Sequence, residues 1–276
     1  MTAATKRTIN VEGQQLRVAV RHGLAGAVPL LIINGIGASL ELLQPFVDAL
    51  DPAQAVIRFD VPGVGGSPMP SRPYRFSGLC RLIAKMLSEL GYDQVDVLGI
   101  SWGGGVAQHF AAFQRARCRR LVLVSTGTGA TMLPARPGVL LQMVRRQRYV
   151  DNGYLARVAP DLYGGSARAE PERVSETMQE NNRLGPSRGY AYQLAASFAW
   201  TSAPFLPLLR QPTLILSGDD DPIIPLANAK MMHRLIRGSR LYVFKGGHLG
   251  LVAEAAELAP VVQSFLAAEP AGNRSG

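Results

Sequence analysis

Apolar and polar positions follow two rhythms along this chain. Residues 7–20 alternate singly around Gly13, the period of a half-buried strand pair, which predicts an antiparallel hairpin. Beyond it, short runs that are largely apolar, without single alternation, recur between stretches of helical period. The runs at 29–34, 55–60, 94–100, 120–125, 213–217 and 240–244 read as strands buried on both faces. Such strands belong to a mostly parallel sheet with helices on each side, so the expected class is α/β. Between 131 and 205 the alternation stops, leaving helical periodicity, Gly and Pro breaks and no strand pattern. This stretch holds Tyr149, Tyr154, Tyr163, Tyr190, Tyr192, Phe198, Trp200 and Phe205. It reads as a helical cap inserted into a core formed by residues 1–130 and 206–276. A helical bundle packed elsewhere, with the aromatics as its own core, is the competing reading.

Composition narrows the class further. A chain of 276 residues, 47% hydrophobic, suits one large α/β domain with a modest insertion. No apolar run approaches the length of about eighteen residues that a membrane span needs, so none is predicted. The start of the chain lacks the apolar stretch of a secretory signal. Cys80 and Cys118 lack metal-ligand spacing, and free thiols in a reducing cytoplasm are the expectation. A net charge of +9 suits an anionic surface, an acidic substrate or nucleic acid. The basic residues are scattered without a nucleic-acid-binding motif, so no nucleic-acid partner is predicted. The densest group, Arg115, Arg117, Arg119 and Arg120, is expected at a helix end, where cations complement the dipole. The tail, 271–276, is expected to fray.

Candidate chemistry begins at Gly99-Ile100-Ser101-Trp102-Gly103, between an apolar run and a helical stretch beginning at Gly104. A G-x-S-x-G in that context is a nucleophile elbow, a turn so tight that its flanking positions carry almost no side chain. A serine nucleophile needs a base, and the base needs an acid to fix its tautomer. Of four histidines, His22 follows the hairpin, His109 lies two turns into the helix after the elbow, and His233 sits in a polar helix. His248, in Lys245-Gly246-Gly247-His248-Leu249-Gly250 after the last strand, is left as the base. The acid is expected after the strand at 213–217, where Asp219, Asp220 and Asp221 are adjacent and spacing alone leaves the choice open. A G-x-x-D-x-x-x-P pattern ending at Pro225 selects Asp221, and the other two read as turn residues. The developing oxyanion needs two donors. Ile36, in Asn34-Gly35-Ile36-Gly37-Ala38, and Trp102, directly after the serine, are the candidate backbone N–H groups. A dinucleotide loop at Gly35-x-Gly37, with Asp60 on a ribose, competes, but Leu40 stands where the third glycine belongs. Asp60 reads better as a tie for the glycine-rich loop 60–67.

Together these motifs resemble the α/β-hydrolase fold across essentially the whole chain. Leu98-Gly99-Ile100-Ser101-Trp102-Gly103-Gly104, Ala159-Pro160-Asp161-Leu162-Tyr163-Gly164-Gly165, Trp200-Thr201-Ser202, Gln211-Pro212-Thr213-Leu214-Ile215-Leu216 and Gly218-Asp219-Asp220-Asp221-Pro222-Ile223-Ile224-Pro225 are similar to the intracellular medium-chain-length poly(3-hydroxyalkanoate) depolymerases. That resemblance implies ester cleavage in a stored polyester at the surface of cytoplasmic granules, with Ser101 as nucleophile, Asp221 as acid and His248 as base. Asn34 stands where many lipases carry histidine. An aromatic cap over the serine suits an alkyl-bearing acyl group, and Trp200, Phe198 and Tyr163 are the candidates for that contact. The mechanism calls for no metal and no cofactor. The same residues also suit a 3-hydroxyacyl transferase or a small-ester or carbon–carbon bond hydrolase, and the fold also serves ligand-binding receptors.

Overall fold

The computed structural model describes residues 4–145, 147, 151–183 and 185–268. Tyr149 and the tail 271–276 lie outside the described residues. Strands β1 (Thr5–Val11) and β2 (Gln14–Arg21) form the hairpin, turning through Glu12 and Gly13 at φ of 50° and 85°. Positive φ at both turn positions matches the twist of the flanking strands, and glycine adopts it without strain. β2 then pairs antiparallel with β4 (Val56–Phe59). From there the sheet is parallel, through β3 (Leu30–Ile33), β5 (Val95–Ile100), β6 (Cys118–Val124), β7 (Thr213–Gly218) and β8 (Arg240–Phe244). The order is β1-β2-β4-β3-β5-β6-β7-β8. The predicted strands are all present, most of them trimmed or shifted by one or two residues at their ends.

Side chains of the central strands point alternately to two apolar layers. Leu31, Ile33, Val97, Leu121, Leu123 and Ile215 face one cluster, with helices α2 (Phe76–Glu89), α3 (Trp102–Phe113) and α9 (Leu226–Leu235). Leu30, Ile32, Leu98, Ile100, Val122, Val124, Leu214 and Leu216 face the other, with α1 (Gln44–Ala49), the short α10 (Gly250–Ala253) and α11 (Ala255–Ala267). Each such side chain contributes about 1.5–3 kcal/mol by leaving water, which is why the strands need no polar face. The strand order reverses between β3 and β5, since β4 lies on one side of β3 and β5 on the other. In an open parallel sheet, the crevice at that reversal, beyond the carboxyl ends of the strands, is where ligands bind.

Between β6 and β7 run α4 (Pro137–Val144), α5 (Asn152–Tyr163), α6 (Ser166–Ala169), α7 (Pro171–Glu180) and α8 (Ser187–Ser197). The two ends of this segment meet at an antiparallel bridge between Gly129 and Thr201. Its apolar faces form a third cluster in which Leu155, Leu162 and Met178 pack with Ala38, Leu42, Ile223, Ile224 and Leu249 of the core loops. Phe205 instead stacks on His109 and Phe113 of the core.

One expectation fails in a simple way. Arg119 and Arg120 are in β6, because residues 115–117 form a single 3-10 turn and the strand begins at Cys118. Arg119 Nε donates to buried Asp96 at 2.8 Å, and Arg120 donates to the carbonyl of Leu266 near the end of α11. Arg119 Nη2 also donates to that carbonyl, at 3.2 Å, so two of the four cations serve the last turn of a different helix. Both cysteines are buried and free, and burial pushes their thiols up, away from ionisation. No helix among the described residues is long and apolar enough to cross a membrane.

Candidate active site

Four loops converge at the reversal point, following β3, β5, β7 and β8. After β5 the chain turns directly into α3, and Ser101 takes φ 52° and ψ −121°. A side chain in that region costs on the order of 1–3 kcal/mol, so the surroundings must impose it. They do so by close approach. A Cβ on Gly99 would lie 2.4 Å from the Gly103 carbonyl oxygen, and one on Gly103 would lie 2.2 Å from that of Ile33. The serine backbone is fixed from β6, where the Val124 carbonyl accepts from Ser101 N–H and Thr126 Oγ1 donates to the Ser101 carbonyl.

Ser101 Oγ lies 3.0 Å from His248 Nε2, and His248 Nδ1 lies 2.9 Å from Asp221 Oδ2. An ionised carboxylate only accepts, so Nδ1 carries the proton that it donates to Asp221, leaving Nε2 to accept from the serine hydroxyl. The other carboxylate oxygen of Asp221 accepts from the backbone N–H groups of Ile223 and Ile224, each at 2.9 Å. These bonds hold the Asp221 carboxylate in place from the two positions after Pro222, which itself has no N–H to donate. Its neighbours have other partners. Asp219 accepts from Gly246 N–H, and Asp220 accepts from Gly165 N–H and the Arg168 guanidinium. His248 N–H donates to the Tyr163 carbonyl at 2.8 Å, so the end of α5 helps to place the histidine loop.

The loop after β3 is held with equal care. The Leu40 peptide is gripped at both ends, its N–H by Asp60 Oδ1 at 2.7 Å and its carbonyl by buried Arg58 at 2.9 Å. Asp60 also accepts from Gly66 N–H and Arg17, so its carboxylate is wholly committed within the fold and leaves no place for a ribose. Glu41 pairs with Arg17 and accepts from Ser39 Oγ. Burial alone would raise this carboxyl, but the hydrogen bonds from Arg17 and Ser39 outweigh it and hold it down at about 2. Ile36 sits on this loop and Trp102 opens α3, where a first-turn N–H has no acceptor within the helix.

Two apolar cavities meet at the serine and share Ile36, Ser101, Met143 and Ile223. The larger, about 230 Å³, extends between Phe76, Trp102, Met132, Leu194, Trp200 and Ile224. The smaller, about 50 Å³, runs past His248 towards Leu42, Tyr163, Met178 and Leu249. Among the described residues, neither is lined by a lysine or an arginine. Trp200 lines the larger cavity, packed on Phe76 with ring centroids 4.8 Å apart. Tyr163 lines the smaller. Phe198 lines neither and is 85% exposed. It caps the C-terminus of α8 just before Ala199 at φ 56°, in a turn that sends it outward. Met132, Met143, Leu194, Ile223 and Ile224 are among the wall residues that the sequence pattern did not single out. Of these, the Ile223-Ile224 pair, which follows Asp221-Pro222, carried a local signal.

This fold and these loops define a class. The chain matches the α/β-hydrolase fold family over residues 28–255 and belongs to it; it is a hydrolase. Among curated proteins it is 48% identical to the poly(3-hydroxyalkanoate) depolymerase of Ectopseudomonas oleovorans, an alignment covering 95% of this chain and 93% of that one. It is 26% identical to 3-oxoadipate enol-lactonase 2 of Acinetobacter baylyi over 90% of this chain and 92% of the relative. In three dimensions it resembles the enol-lactonase of Burkholderia xenovorans, with a TM-score of 0.80 and 23% identity over 95% of this chain and 100% of the other. That last likeness speaks for the fold.

Proposed function

We propose that this protein hydrolyses ester bonds of an aliphatic poly(3-hydroxyalkanoate) through an acyl-enzyme on Ser101. The observation that carries the reading is the Ser101 hydroxyl, hydrogen-bonded to His248 at the junction of two largely apolar cavities. A substrate with hydrocarbon on both sides of its ester fits that junction. A free carboxylate in either cavity would be desolvated with no lysine or arginine among the described lining residues to pair with.

In the proposed reaction His248 Nε2 takes the Ser101 proton as Oγ attacks the ester carbonyl. Asp221 stabilises the imidazolium that forms. The N–H groups of Ile36 and Trp102 receive the oxyanion, the latter with the α3 dipole behind it. Collapse expels the alcohol end of the polymer, protonated by His248. Water activated by the same nitrogen then releases the 3-hydroxy acid and restores Ser101. No step calls for a metal or a cofactor.

The finer reading places the enzyme in the cytoplasm, at the polymer granule surface. Leu133, Leu140, Leu141, Leu194 and Phe198 are exposed, several of them beside Met132 and Met143 of the larger cavity. The stretch 131–150 adds Arg136, Arg145, Arg146 and Arg148 with no acidic residue, a charge pattern suited to an anionic amphiphile coating an apolar particle. Incubation with purified long- and short-side-chain polyesters, beside a nitrophenyl alkanoate series, tests the activity. Release of 3-hydroxy acids from the long-side-chain polymer is expected. Turnover of soluble esters with both polymers untouched would overturn the polymer assignment. Co-sedimentation with granules, weakened by Phe198→Asp, tests the docking.

A further inference from the structure

Gln193 is fully buried in α8, yet it touches both elements that would receive the oxyanion. Its Oε1 accepts from Gly37 N–H at 2.8 Å, one residue beyond Ile36. Its main-chain carbonyl accepts from the Trp102 indole Nε1–H at 2.9 Å. The same loop is tied again just before α8, where Ser39 N–H donates to Asn182 Oδ1 at 2.8 Å and Arg183 N–H donates to Ser39 Oγ at 2.9 Å. α8 meanwhile presents Leu194 and Ser197 to the larger cavity, and Ser197 lies one turn from Gln193 on the same flank of the helix. One helix therefore both lines the acyl pocket and holds the oxyanion loop.

We propose that Gln193 is a positioning residue that couples acyl-chain binding beneath the cap to the oxyanion hole. The inference rests on the ester-hydrolase reading. An oxyanion donor works only within a few tenths of an ångström of its place. The loop carrying Ile36 is short and glycine-flanked, so an acceptor fixed on Gly37 limits where the Ile36 N–H can point. When an alkyl chain fills the larger cavity it packs on Leu194 and Ser197 and steadies α8. That steadiness passes through Gln193 to the loop. The wild-type enzyme then gains from a long chain in kcat as well as in KM, because the chain improves transition-state binding.

The test compares wild type with Gln193→Met, which keeps the volume and removes the acceptor. kcat and KM are measured separately on nitrophenyl esters from acetate to octanoate, alongside an octanoyl thionoester whose sulfur is a poor acceptor. The variant should lose about ten- to a hundredfold in octanoate kcat with KM little changed. Its octanoate-to-acetate kcat ratio should collapse towards one while the KM ratio persists, and its preference for oxygen over sulfur should shrink. A variant that folds and keeps the wild-type kcat ratio would overturn the proposal. So would equal loss in kcat and KM ratios, the mark of a merely loosened cap. If wild type cleaves no ester at all, the ester-hydrolase reading fails instead. Should Gln193→Met not fold, hydrogen exchange in wild type decides. Peptides covering residues 34–40 should exchange more slowly in an octylphosphonyl adduct than in a methylphosphonyl adduct, and equal exchange would overturn the coupling.

Discussion

The loops at the carboxyl ends of the strands and the helical segment above them solve different problems. In the loops a set of buried polar groups is committed to directional hydrogen bonds. Asp221 accepts from two backbone N–H groups as well as His248, and the Leu40 peptide is gripped at both ends. In the helical segment the contributions that reach the larger cavity are mostly apolar, from Met132, Met143, Leu194 and Trp200, with Ser197 the polar exception. Hydrogen bonds are directional and fix atoms to tenths of an ångström, whereas apolar contact is graded with area. The first region therefore suits placing the reacting atoms, and the second suits measuring the acyl chain.

The contrast is broken most severely at the serine. Ser101→Ala should lower kcat by about 10⁴-fold or more without a matching change in stability, leaving what the oxyanion donors achieve alone. Steady-state kinetics on a nitrophenyl ester checks it. Asp221→Asn should lower kcat about 10³–10⁴-fold, because an amide favours the wrong imidazole tautomer and cannot stabilise its cation. Asp219→Asn and Asp220→Asn should each cost less than about tenfold, since Asp219 braces a turn and Asp220 forms a half-exposed pair with Arg168. A reversed ranking would move the acid to a neighbour.

Changes in the upper region should be graded. Each added methylene is worth about 0.8 kcal/mol, so kcat/KM should rise roughly three- to fourfold per acyl carbon until the larger cavity fills. Trp200→Ala should flatten that slope and leave acetate turnover nearly intact. An equal loss on every ester would make Trp200 a structural residue. The smallest effect concerns Glu41. Its carboxyl is held down at about 2 from an ordinary value of 4.5, so its contribution to stability is complete above the ordinary value and fades as pH falls towards 2. Glu41→Gln should unfold at lower temperature than wild type near neutrality. The gap in Tm should close as scans move from pH 5 to pH 2.5.

What could be read from sequence follows the same division. The elbow, the acid turn and the histidine loop are local, and their glycines, prolines and aspartates are demanded by backbone geometry within a few residues. Asp60 could be read as a loop tie for that reason, and Gly66 N–H donates to it. Strand runs were legible because burial on both faces of the central strands keeps polar interruptions few, Arg58 and Asp96 among them. Tertiary choices were not. Phe198 and Trp200 look alike as cap aromatics, but the Ala199 turn sends the first outward while Phe76 receives the second. Arg119 looks like a helix-end cation until β6 pairs with β5 and brings it to Asp96. Gln193 carries no motif, and its meaning arises only when α8 settles against Gly37 and Trp102.

The central claim is that Ser101 carries the acyl group. Rapid quenching of the enzyme with nitrophenyl octanoate in the first turnover, followed by peptide mapping by mass spectrometry, tests it directly. A burst of nitrophenol close to one per active enzyme is expected, with an octanoyl group on the peptide containing Ser101 that is absent in Ser101→Ala. Ester turnover with that peptide unmodified, or with the acyl group on another residue, would contradict it.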